Sequence, residues 1–254
     1  MCLQDFGRSM EDICSNFDCP PEALKIAQEF PEPSACIAQL RVSGMSDEAV
    51  QALARVLPPE KGVEWAEWSA QLAGEKVEFS AEELEALEAA KMWAIDPSEA
   101  NRLDAEFAAT KVPSHTPAMW AAHAASWSKQ IELPEPAAPL PYAGDLTARA
   151  VVGAVRLSAA LFETGKPIEP WNFSGNAVGD DWTVEGRDMA MGTLREQAMN
   201  LTADQKAEAA KLLDPFLDKG VDIAGSVDGF TCNDPLCKAK PILEQGLKPD
   251  GPGM

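Results

Sequence analysis

The chain has one tyrosine and two histidines among its 254 residues. Runs of alternating Val, Ile, Thr and aromatic residues, the mark of half-buried strands, are missing. No apolar run approaches the ~18 residues that a membrane helix needs, so no membrane insertion is expected. Residues 1–30 lack a basic segment followed by an apolar one, which excludes a typical signal peptide and makes a cytoplasmic location the expectation. Basic residues are scarce. Lys and Arg number 21 against 41 Asp and Glu, a net charge of −20. A surface of that sign repels phosphate backbones and anionic lipid, so nucleic acid is not an expected partner. Also absent are a phosphate loop, a dinucleotide glycine fingerprint, a nucleophile elbow and a zinc-protease helix motif.

Helix starts, by contrast, are plainly written. Ser80-Ala81-Glu82-Glu83 has the form of a capping box, in which the serine oxygen accepts a free N–H and the glutamate three residues on reaches back. Asp96-Pro97-Ser98-Glu99 marks a second start. Thr116-Pro117 marks a third, with proline at the first helical position, where its fixed φ is already helical. Thr202-Ala203-Asp204-Gln205 marks the last. Pro20-Pro21 opens a short helix, Ser34 can cap another, and Ser46 can cap a helix over 47–57 after a break at Gly44. Trp65, Trp68 and Leu72 share one face of a helix that follows Pro59, with Gly74 suited to the left-handed position after its end. Leu84, Leu87 and Ala94 form a stripe on the next helix. Leu103 and Phe107 pair on the one after it, and Trp120, Ala124 and Trp127 on the fourth. Val151, Val152, Val155, Ala159 and Phe162 repeat at helical spacing, among small residues, in what reads as the most buried helix. Residues 187–200 read as a further helix, and 203–219 as the last, bent at Pro215 and closed by Gly220.

These signals predict an all-α, single-domain protein, either a multi-helix bundle or a short stack of helical pairs. Residues 1–45 form a cysteine-containing region of short helices. Residues 46–225 form the helical core, and 226–254 a cysteine-containing tail. Two stretches of the core lack periodicity. Residues 133–144 carry four prolines and read as an extended connector. Residues 165–186 form a long loop of Gly, Pro and Asn with Trp171, Phe173 and Trp182, and a structureless loop of that length is often functional or an insertion.

Few residues suggest chemistry. His123 lies between Trp120 and Trp127, where it is either a general base or a packed histidine. His115 precedes a cap. Ser126-Trp127-Ser128-Lys129 matches the Ser-x-x-Lys pattern of serine acyl-enzymes, without the companion elements of that class. All six cysteines lie in the first 36 or last 23 residues. Cys14 and Cys19 have the same spacing as Cys232 and Cys237. Four thiolates of this kind can bind one structural zinc and tie the chain ends together, or pair as disulfides, or stay free. In the long loop, Trp171 and Trp182 beside Asp180, Asp181 and Glu185 combine aromatic anchors with acidic charge, a composition suited to a basic protein surface.

The pattern over 63–225 resembles an uncharacterised bacterial helical family, a domain of unknown function. It rests on Trp65-Ala66-Glu67-Trp68, the helix of 84–93 ending in Asp96-Pro97, Thr116-Pro117-Ala118-Met119-Trp120-Ala121-Ala122, Ser126-Trp127-Ser128, Leu146-Thr147-Ala148-Arg149-Ala150-Val151 and Gly220-Val221-Asp222-Ile223-Ala224. The resemblance implies a bacterial protein that accompanies secretion systems of the type VI kind, and assigns no catalytic residue. The function expected is therefore a non-enzymatic adaptor, chaperone or accessory factor with a protein partner. The alternatives are an immunity protein that neutralises a basic toxin, and an enzyme of unrecognised type.

Overall fold

The computed structural model describes residues 9–112, 116–128, 145–166 and 203–227. These residues form ten helices and no strand. In chain order they are α1 (Met10–Ser15), α2 (Pro21–Glu29), α3 (Pro33–Val42), α4 (Ser46–Val56), α5 (Pro59–Gly74), α6 (Ala81–Ile95), α7 (Glu99–Lys111), α8 (Pro117–Ser126), α9 (Asp145–Thr164) and α10 (Ala203–Gly225). The expected all-α class holds.

Local chemistry accounts for most starts. Ser80 accepts from the Glu83 N–H, and the Glu83 carboxylate accepts from the Ser80 N–H at 2.8 Å, closing the capping box. Ser98 caps α7 and Thr116 caps α8 through the same kind of bond. A second capping box, Ser9 with Asp12, starts the short α1, which has no hydrophobic repeat long enough to announce it. Gly44 takes φ +74°, the left-handed turn that separates α3 from α4.

Three boundaries differ from the sequence reading. Ser46 is the first residue of α4 and the cap position is Met45, with no side-chain cap bond. Gly74 is the last residue of α5 and has no positive φ. A Cβ there would meet the Phe79 ring at 3.1 Å, so the position is held by packing rather than by turn geometry. Gly220 does not end the last helix, which runs on to Gly225 with Pro215 inside it.

One buried cluster extends from Met10 to Ala224 and joins all the described segments. At its centre is α8, whose Ala118, Ala121, Ala122, Ala124 and Ala125 are buried. Such small side chains allow close helix approach, and α5, α6, α7 and α9 all pack on α8. The α5–α9 contact is equally tight, since a Cβ on Gly62 would lie 3.3 Å from Val151. As expected, α9 is deeply buried through Val151, Val152, Val155 and Ala159, with Phe162 half-buried. Trp65 has no exposed surface, and its indole N–H donates to the Phe216 carbonyl at 2.8 Å. Trp68, Trp120 and Trp127 are half-buried against the core. The helix expected over 187–200, the connector 133–144 and the cap Thr202 lie outside the described residues.

Candidate functional site

Helices α6 and α7 form a hairpin whose inner face is covered and whose outer face is open. Ala86, Leu87, Ala90 and Trp93 of α6 and Ala105, Ala108 and Ala109 of α7 are buried. Leu84, Met92 and Ile95 of α6 point away from the core, with Leu84 56% and Ile95 70% exposed. Leu103 and Phe107 of α7 are also exposed, Phe107 at 64%. The sequence spacing places Leu84 on the Leu87 stripe, and Leu103 with Phe107 as a pair on the next helix. The structure turns both outward, because the alanines of α7 supply the close contact with the neighbouring helices instead. At 84, 92 and 95 the spacing keeps these residues on one side of α6, with Glu88 among them.

Charge frames this apolar strip. Glu82, Glu83, Glu85, Glu88, Asp96, Glu99, Asp104 and Glu106 lie on the hairpin, against Lys91, Arg102 and Lys111. All three cations are engaged. Lys111 bonds Glu85 at 2.6 Å and lies 4.3 Å from the Phe107 ring centroid. Arg102 binds Glu99 and Glu106 and also donates to the Ser126 carbonyl at 2.9 Å. Lys91 is 4.0 Å from Glu88. The remaining carboxylates leave an apolar strip in a negative field. Isolated exposed hydrophobics are ordinary, but a strip of five on one hairpin is the kind of surface that marks protein contact.

The His123 neighbourhood is of a different kind. The imidazole stacks on Trp127 at 4.7 Å between centroids, and Trp120 meets both rings edge-on. Burial pushes the His123 pKa down, opposed by the Glu106 charge, so the ring is neutral at pH 7. Among the described residues its buried Nδ1 has no hydrogen-bond partner. Its contacts are those of a histidine packed between two indoles. Ser126 spends its hydroxyl on the His123 carbonyl at 3.1 Å, closing the end of α8. Lys129 and His115 lie outside the described residues.

Near the other end of the fold, Cys14 of α1, Cys19 just beyond it and Cys36 of α3 come together as free thiols. The neighbouring Cys19 thiol first, then the Cys36 thiol and the Arg55 charge, hold Cys14 down to about 4 against the effect of burial. The Cys14 sulfur, together with burial, pushes the Cys19 and Cys36 thiols up. Arg55 itself is buried. Its guanidinium lies 4.8 Å from the Phe17 ring centroid and its Nε 2.8 Å from Asp145 Oδ1, out of hydrogen-bond alignment. Arg149 closes on the other Asp145 oxygen at 2.6 Å.

The sequence had linked Cys14 and Cys19 to Cys232 and Cys237. The structure brings Cys14 and Cys19 together and adds Cys36, which spacing alone had not singled out. Cys232, Cys237, Trp171, Trp182, Asp180, Asp181 and Glu185 lie outside the described residues. Among the described residues, no group of three or more His, Cys, Asp and Glu side chains is placed to hold a metal ion. Nor is any helix there long and apolar enough to cross a membrane.

The class defined by these observations is an all-α protein with an open, acidic-rimmed apolar hairpin face. The chain belongs to DUF6931, a family of unknown function, whose model matches residues 36–169, just over half of the chain. The match takes in α4 to α9 and Cys36, and leaves Cys14, Cys19 and α10 outside. The residues that suggested the family run from 63 to 225, so the matched span begins earlier and ends before Gly220. No curated protein and no solved structure matches the chain.

Proposed function

We propose that this protein is a non-enzymatic binding protein, an adaptor or chaperone that receives a basic amphipathic helix on the outer face of α6 and α7. The observation that carries this reading is the set of exposed apolar residues Leu84, Met92, Ile95, Leu103 and Phe107 among carboxylates that outnumber the cations of the hairpin. An amphipathic helix laid in such a place buries its apolar stripe, while its Lys and Arg meet the acidic rim. A second copy of the chain is a poor occupant, because two surfaces of net charge −20 repel. The resemblance to a bacterial family supports a cytoplasmic adaptor or accessory factor whose partner is a component or cargo of a type VI-like secretion system. An immunity protein against a basic toxin would use the same charge, and the identity of the captured partner separates the two. Trp171 and Trp182, with Asp180, Asp181 and Glu185, would offer the same partner further aromatic and acidic side chains.

The test is photocrosslinking in the native cell from a probe placed at Phe107, with the exposed Glu29 of α2 as control. Capture at Phe107 and not at Glu29, of a partner whose crosslinked peptide is basic and helical, supports the reading. Phe107→Glu should then weaken binding of that peptide by at least about 10-fold, since a buried aromatic anchor contributes about 2 kcal/mol or more. Association should also slow as salt rises. Equal capture at the two positions, or affinity indifferent to Phe107→Glu, removes the hairpin face from the account.

A further inference from the structure

We propose that Glu88 selects among basic helices at the α6–α7 face by requiring a lysine or arginine set inside the partner's own apolar stripe; this rests on the reading of that face as a docking surface. On a helix of 3.6 residues per turn, Glu88 stands about 40° around α6 from Leu84, with Ile95 at about 20° and Met92 at about 80°. The carboxylate is therefore in the middle of the exposed apolar row, and not on its rim. Leu84 and Met92 each lie four residues away, about 6 Å along the axis. Pairing of Glu88 within the chain is weak. Lys91 stands 4.0 Å off, beyond hydrogen-bond distance, and the Lys91 and Glu88 side chains are 48% and 64% exposed. Neighbouring carboxylates are held more closely. Glu83 accepts from the Ser80 N–H at 2.8 Å, Glu85 bonds Lys111 at 2.6 Å, and Glu99 and Glu106 share Arg102.

A helix laid along α6 that covers Leu84 and Met92 with apolar residues must cover Glu88 as well. A carboxylate shut off from water without a counter-charge is strongly disfavoured. An unbroken apolar stripe is therefore rejected, whereas a stripe broken by one cation opposite Glu88 forms a charge pair sheltered by apolar contacts on both sides. Leu84 and Met92 are equally spaced about Glu88, so the requirement is the same for a helix running in either direction. It is an apolar residue at i, Lys or Arg at i+4 and an apolar residue at i+8. The acidic rim attracts any basic helix, through charges that stay in water. Glu88 discriminates among them, because at this one position a partner without the cation leaves a covered charge unpaired.

The experiment titrates the full-length chain with two synthetic amphipathic helices of Leu and Lys, each of about 18 residues so that it can be helical. They are identical except that the central residue of the leucine stripe is Leu in one and Lys in the other. The ratio of affinities, Lys-centred over Leu-centred, should fall at least about 10-fold on Glu88→Gln, since removing one member of a sheltered charge pair has an effect of that order. Glu29→Gln on α2 removes a similarly exposed carboxylate, paired as loosely with Lys25 at 3.9 Å, and should leave the ratio unchanged. Both substitutions keep the side-chain shape at an exposed helical position, so neither threatens the fold. A ratio unmoved by Glu88→Gln, or moved as far by Glu29→Gln, overturns the assignment; the docking face itself then still stands if Phe107→Glu weakens both peptides. Failure of both peptides to bind, or binding indifferent to Phe107→Glu, overturns the docking face and the role of Glu88 with it.

Discussion

Replacing Gly220 by alanine should destabilise the protein, although alanine is the better helix former. Gly220 lies inside α10, where the Gly→Ala exchange by itself favours folding by about 1 kcal/mol. The added Cβ, however, would stand 2.6 Å from Trp65 Cε2 and 2.8 Å from both Trp65 Cζ2 and Leu53 Cδ2. Ordinary contact needs roughly 3.5–4 Å, so the neighbours must retreat by close to an ångström. The Leu53 methyl can rotate. The Trp65 ring cannot go far, because it is fully buried and its N–H is bonded to the Phe216 carbonyl, one turn before Gly220. Overpacking of this kind costs about 1–3 kcal/mol, and with the ring held in place the upper end applies, so after the propensity gain the net loss expected is about 2 kcal/mol. Urea denaturation followed by Trp fluorescence would read it as a lower midpoint at unchanged slope. Gly225→Ala is the control, since a Cβ there meets nothing within 4 Å, and it should be neutral or slightly stabilising. Trp65→Phe removes the obstructing ring atoms, so Gly220→Ala should cost less in that background, a positive coupling in a double-mutant cycle. A Gly220→Ala protein as stable as the parent, or no coupling to position 65, would refute the account of why glycine is there.

Two further outcomes follow from buried charge. Glu67 is buried, and desolvation raises its pKa above the ordinary glutamate range. The unfolded chain releases that proton first, so between the ordinary value and the raised one stability falls as pH rises, and above both Glu67 is a constant cost. Glu67→Gln should therefore raise the melting temperature at pH 7, an advantage that shrinks as pH drops through the glutamate range; equal melting at both pH values would contradict it. Asp145→Ala leaves the buried Arg55 without its counter-charge and should cost about 3–5 kcal/mol in chemical denaturation, whereas Arg149→Ala, at the half-exposed side, should cost under about 1 kcal/mol. Similar losses for the two would show that Arg55 finds another partner.

What the sequence by itself determined is local. Ser80 with Glu83, Ser98 and Thr116 with Pro117 set three helix starts, because a cap oxygen and the N–H it accepts lie within three residues of each other. The buried repeat of α9 was legible for a similar reason, being apolar along one whole face. The hairpin was not. Leu84, Leu103 and Phe107 have the spacing of core residues, and only the tertiary structure shows that the buried contact is made by Ala86, Ala90, Ala105 and Ala108. Alanine carries little hydrophobic signal in a sequence, yet in a tightly packed helix pair it takes the inner position and displaces larger side chains outward. Gly220 read as a stop, because glycine is an ordinary helix terminator; the Trp65 ring lying against it is contributed from another helix. The thiol cluster divides along the same line. Cys14 and Cys19 are close in sequence and were paired by spacing, whereas Cys36 is brought to this part of the fold by the packing of α3 on α2 and α4.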